Sequence, residues 1–149
     1  MRHRISTKKF NRSTKHRKAM FKNLLAALIT HGEITTTQAK AKSIKPKIDK
    51  LITKAKKNSL HSRRLIHSYF NDKQVTNRLV DHLAPNMTTR ISGYTRIVKQ
   101  NNRLGDNTLL ARIEFVDKII DPEPRAKTTS KPKSSPKTKA KKTESTSKK

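Results

Sequence analysis

The chain has 149 residues, with 37 Lys and Arg against 10 Asp and Glu, a net charge of +27 and a pI near 11.0. Its length suits one domain with tails, and at this charge an anionic partner is expected to be part of the stable state. Nucleic acid leads over a membrane surface, because no stretch is apolar enough to span a bilayer. Cysteine is absent, which excludes disulfides and thiolate metal sites.

The first eighteen residues hold eight Lys or Arg, two His and no acid. This arm, residues 1–12, buries too little apolar surface to fold alone and is expected to be ordered by a polyanion. It lacks the apolar core of a secretory signal but shares the Arg-rich, acid-free character of a mitochondrial presequence. Ser13 or Thr14 caps a predicted helix that runs to about His31, with Gly32 as its stop. Met20, Phe21, Leu24, Leu25, Leu28 and Ile29 form its apolar face. Lys15, Arg17, Lys18 and Lys22 crowd its first turns, the wrong end for the helix dipole, which points to a ligand contact there.

Glu33–Thr37 reads as a brief strand, and one of its threonines is expected to cap a second helix over about Gln38–Lys57. Ala41, Ile44, Ile48, Leu51, Ile52 and Ala55 face inward; Lys40, Lys42, Lys45, Lys47, Lys54 and Lys57 face outward. Pro46 predicts a kink or a break. A third helix carries Leu60, Leu65, Ile66, Tyr69 and Phe70 as candidate core, and a fourth, with Val75, Leu79, Val80 and Leu83, is expected to end at Pro85. Tyr94–Gln100 and Thr108–Asp117 read as strands joined by a turn-rich connection, with Leu109, Ala111, Ile113 and Phe115 sharing one face of the second and Arg112 and Glu114 on the other.

These elements predict an α+β fold of about four helices packed on a small, mostly antiparallel three-stranded sheet. The single globular domain covers residues 13–120. Residues 121–149 form a disordered tail; its last 28 residues hold ten Lys or Arg, ten Ser or Thr and four Pro.

No enzyme constellation is present. Gly32, Gly93 and Gly105 are scattered, the acids lack paired-carboxylate spacing, and the six histidines form no metal-ligand motif. No catalytic residue, metal or cofactor is therefore expected. Two Tyr and four Phe, most suited to the core, leave no aromatic platform for single strands, and no groove-reading motif for duplex DNA is evident. Basic density on extended arms suits folded RNA held through phosphates.

Several blocks, in order, resemble the bacterial-type large-subunit ribosomal protein L-seventeen family across about residues 1–118. They are MRHR at Met1–Arg4, FNR and HRKAMFKNL within Phe10–Leu24, ITTTQAKAK at Ile34–Lys42, LITKAK at Leu51–Lys56, GYTRI at Gly93–Ile97, RLGDN at Arg103–Asn107 and IEFVD at Ile113–Asp117. The resemblance implies a non-catalytic structural role in the large subunit, bound to its ribosomal RNA beside neighbouring ribosomal proteins near the polypeptide exit. It also implies no membrane partner and no stand-alone homo-oligomer. A bacterial cytoplasmic ribosome is expected ahead of an organellar one. Cleavage of a presequence would remove MRHR, so the chain is expected to begin at its functional terminus.

Carried over by motif, the RNA-facing residues are Arg2, His3, Arg4, Asn11, Arg12, His16, Arg17 and Lys18. Thr36, Thr37, Lys40 and Lys42 follow, then Tyr94, Thr95, Arg96 and Arg103. The basic run itself adds Lys8, Lys9 and Lys22. For Tyr94 and Thr95 plain sheet packing is an equal alternative. The tail, which the family pattern does not explain, leaves a DNA-compacting, chromatin-type protein as the competing function. Removing Met1–Arg12 is expected to leave the body folded while abolishing subunit incorporation.

Overall fold

Ser13 starts the first helix, α1 (Thr14–His31), by accepting the His16 amide at its hydroxyl, and Gly32 at φ 81° ends it by donating to the Leu28 carbonyl at 2.8 Å. A computed structural model of the chain describes residues 8–117; Arg2, His3, Arg4 and the tail lie outside the described residues. Strand β1 (Glu33–Thr37) leads directly into α2 (Gln38–Lys56). Thr37 occupies the N-cap position but its side chain makes no capping bond, so the expected threonine cap is not formed.

The anticipated inward stripe of α2, from Ala41 to Ala55, is buried throughout. The helix runs unbroken through Pro46. Pro46 and Lys42 are both exposed. The carbonyl that proline leaves without a donor thus lies where water can satisfy it.

Ser59 caps α3 (Leu60–Phe70), accepting the Ser62 amide at 3.1 Å. This helix departs from the sequence reading. Only Ser62, Ile66 and Phe70 are buried, whereas Leu60, Leu65 and Tyr69 are 65%, 45% and 40% exposed. A helix packed by a single i, i+4, i+8 stripe leaves its flanking apolar residues outside.

Asp72 caps α4 (Lys73–Asn77) through bonds from the Gln74 and Val75 amides. The helical path does not stop at Pro85: it continues as a π-helical turn (Arg78–Leu83) and then as α5 (Ala84–Asn86). Proline in the first turn of α5 needs no N–H there. The wider turn re-registers the ladder just before it, with the Ala84 amide reaching the Leu79 carbonyl. Arg78 ties this turn to the end of α1 through the Ile29 carbonyl at 2.8 Å.

Strands β2 (Thr95–Asn102) and β3 (Leu109–Phe115) form the hairpin, and β1 pairs with the far side of β3, giving the antiparallel order β1-β3-β2. Ile34, Ile113 and Ile97 stand in one row on the helix-facing side. Ala111, Ile113 and Phe115 are buried, but Leu109 is 51% exposed, because β3 has left the helices behind where the hairpin begins. Below the sheet, Leu25, Leu28, Ile44, Ile48, Ile52, Leu79 and Leu83 fill a continuous core. The fold is thus α+β, four helical runs on a three-stranded antiparallel sheet.

Candidate nucleic-acid interface

The described end of the arm is fastened to the body. Phe10 and Asn11 adopt left-handed backbone conformations, with φ of 56° and 50°. The turn places the Phe10 ring edge-on to Phe21, centroids 5.9 Å apart, and packed against the core. Arg12 reaches His16 Nε2 at 2.9 Å, and Arg17 donates back to the Arg12 carbonyl at 3.2 Å. Phe10 therefore ties this segment to the body, and a cut after Arg12 would remove a core-contacting ring.

Lys8, Lys9, Asn11, His16 and Lys18 are exposed and Arg12, Arg17 and Lys22 half-buried. Lys40 is half-buried and Lys42 exposed at the start of α2, beside half-buried Thr36 and Thr37. Among the described residues no lysine has a carboxylate within ion-pair distance. Five of the seven described acids are held by arginine: Asp81 by Arg63, Asp117 by Arg90, Glu114 by Arg96 and Arg112, Asp106 by Arg103, and Glu33 by Arg112. Asp49 accepts the Tyr94 amide and Asp72 caps α4. The lysines' charge is left for an outside partner.

The hairpin residues behave differently. Tyr94 and Thr95 are 1% and 2% exposed. The Tyr94 hydroxyl donates to the Ile91 carbonyl at 2.8 Å, and Lys56 Nζ lies over its ring at 4.6 Å. Their side chains occupy the packing role. Arg96 is bound to Glu114, and Arg103 clamps Asp106 at the hairpin turn. Hydrogen bonds from Arg103 and Thr108 hold the Asp106 carboxyl well below the usual carboxylate range, and Asp106 raises Arg103 in turn.

The structure also assembles a groove that the sequence reading missed. Lys18, Ala19, Phe21 and Lys22 from α1, Lys47 from α2, and Ser68 and Tyr69 from α3 line about 490 Å³. Lys47 Nζ stands 4.6 Å above the Phe21 ring. Tyr69 meets Phe70 edge-on at 5.0 Å, and partial burial pushes its phenol above 10.0. Lys47 was legible as an outward residue of α2; Tyr69 gave no signal, since its spacing fits a core position. Among the described residues no cluster of His, Asp or Glu could hold a metal. No described helix is long and apolar enough to cross a membrane.

Fold and charge together define a small α+β body whose unpaired lysines are concentrated on the arm and the helices, with Lys99 on β2. The family model described as Ribosomal protein L17 matches residues 20–116. A relative from Azorhizobium caulinodans, named large ribosomal subunit protein bL17, is 49% identical over 121 residues, covering 81% of this chain and 87% of its own length. Proteins of the same name from Agrobacterium fabrum and Allorhizobium ampelinum are each 46% identical over 121 residues, covering 81% of this chain and 86% of their own. The chain belongs to the ribosomal protein L17 family. The chromatin-type alternative finds no support in these similarities.

Proposed function

We propose that the chain is a structural constituent of the bacterial large ribosomal subunit, in the cytoplasm, that binds and steadies folded large-subunit ribosomal RNA through phosphate contacts. Neighbouring ribosomal proteins near the polypeptide exit complete its surroundings. The observation that carries this reading is the division of charge: the described acids are already engaged, while the lysines of the arm, α1 and α2 have no carboxylate partner among the described residues. Lys8, Lys9, Asn11, His16, Lys18, Lys22, Lys40 and Lys42 make the contacts from the described body, continued by Arg2, His3 and Arg4. Tyr94, Thr95, Arg96 and Arg103 support the hairpin.

The test is sedimentation of ribosomal subunits at moderate salt. The protein is expected on the large subunit; finding it mainly free, or on the small subunit, would overturn the proposal. With about ten phosphates neutralised, affinity for the isolated RNA falls by several decades between low and moderate salt. Competition by duplex DNA equal to that by the ribosomal RNA would restore the chromatin reading.

A further inference from the structure

The groove between α1, α2 and α3 combines two chemistries that occur together in one kind of ligand. Lys18 and Lys22, one helical turn apart, and Lys47 opposite them supply cations. Phe21 and Tyr69 supply aromatic surface, and Ser68 a hydroxyl. The volume of about 490 Å³ lies in the range of small-molecule sites, roughly 300–1,000 Å³. No described acid lines it. A bare phosphate would use the amines and leave Tyr69 idle; an apolar side chain would use Tyr69 and bury amines without partners.

The geometry points to a nucleotide-binding groove: an unstacked nucleotide of the bound RNA inserts here, its base against Tyr69 and its phosphate between Lys18, Lys22 and Lys47. Lys47 Nζ already rests 4.6 Å from the Phe21 ring centroid, a contact that biases its amine toward the groove before the RNA arrives. The Tyr69 phenol is protonated at neutral pH, as any phenol is, and presents an uncharged face for stacking. Stacking tolerates any base, so the groove recognises an extruded nucleotide rather than a sequence. This inference rests on the reading of the chain as a ribosomal RNA binder.

The chain's two tyrosines allow a direct test. Tyr94 is buried and serves as the internal reference, while Tyr69 is 40% exposed. In the full-length protein nitration is expected to modify Tyr69 first. Adding transcribed large-subunit ribosomal RNA should protect it; polyglutamate at equal charge should not. In RNA titrations Tyr69→Phe should bind as the parent does. Tyr69→Leu, which keeps the side chain apolar at a partly exposed position, should weaken binding on the order of ten-fold with the salt slope unchanged. Lys47→Gln should lower that slope by about one. Undiminished nitration in a formed RNA complex, or full affinity in Tyr69→Leu, overturns the groove and leaves the RNA reading standing. Equal protection by polyglutamate reduces the groove to an anion trap and overturns the nucleotide. If the parent protein forms no RNA complex, both readings fall together.

Discussion

From Lys8 to Lys22 the described chain carries seven Lys or Arg and no acid, while from Arg90 to Asp117 it carries four Arg, one Lys and three acids. In the second region every arginine is paired: Arg90 with Asp117, Arg96 with Glu114, Arg103 with Asp106, and Arg112 with Glu114 and Glu33. In the first, Arg12 and Arg17 bind His16 and backbone, and the lysines have no carboxylate partner. The planar guanidinium, with its fixed fork of donors, suits internal carboxylates; the flexible, strongly hydrated ammonium is better kept for phosphates met only on assembly. Net charge therefore overstates the binding surface. The sheet is basic by composition and largely neutralised by geometry.

Charge removal is the strongest way to break this comparison. Changing Lys8, Lys9, Lys18 and Lys22 together to Gln should reduce ribosomal RNA affinity by at least about 100-fold at moderate salt and lower the salt slope by as many as about four. Changing Arg96 and Arg103 to Gln should leave that slope unmoved. Equal losses from the two sets, measured by filter binding across a salt series, would show that the pairing in the sheet does not withhold its charge.

The sheet's own contribution is mechanical, and stability measurements read it. Ile113 is fully buried in the central strand, in register with Ile34 and Ile97. Ile113→Ala should cost about 2–5 kcal/mol in urea unfolding. On the opposite face, Glu114 is 8% exposed and shared between Arg96 and Arg112. Its replacement by Ala should cost about 1–3 kcal/mol, because Arg96 loses its carboxylate and Arg112 keeps only the more exposed Glu33. A change within about 0.5 kcal/mol would mean that water replaces the carboxylate without loss.

Much of this arrangement is legible in the residues. Ser13 and Gly32 bracket α1 as capping chemistry dictates, and the buried stripe of α2 follows the helical period at Ala41, Ile44, Ile48, Leu51, Ile52 and Ala55. The misreadings share a cause, which is that periodicity reports what could be buried and tertiary packing decides what is. Leu60, Leu65 and Tyr69 carry the right character for a core, but α3 meets its neighbours along one stripe only. Pro85 reads as a stop until a π-helical turn shifts the ladder so that proline falls where no donor is needed. For the candidate site the limit is pairing across the chain. Nothing local to Arg96 announces Glu114, 18 residues away, and nothing in α1 or α3 alone announces a groove that needs Lys47 from α2.

The smallest expected effect separates two roles for Arg103. The family resemblance makes it an RNA contact; the geometry makes it half of a turn clamp with Asp106, whose carboxyl also accepts the Thr108 amide at 3.3 Å. Because the folded state holds Asp106 below its unfolded range, the clamp is intact at any pH above that range. It is lost only as pH falls through the depressed value, so the hairpin amides should keep their protection in hydrogen exchange through the ordinary carboxylate range. Asp106→Asn removes the charge and should speed exchange of the Arg103 amide, which donates to the Thr108 carbonyl at 3.0 Å, several-fold without moving the unfolding temperature. Arg103→Gln should fray the same turn to the same extent. If Arg103 is a clamp, neither change alters the salt slope of RNA binding. If it is a phosphate contact, Arg103→Gln lowers the slope by about one while Asp106→Asn, which frees the guanidinium, leaves it equal or steeper.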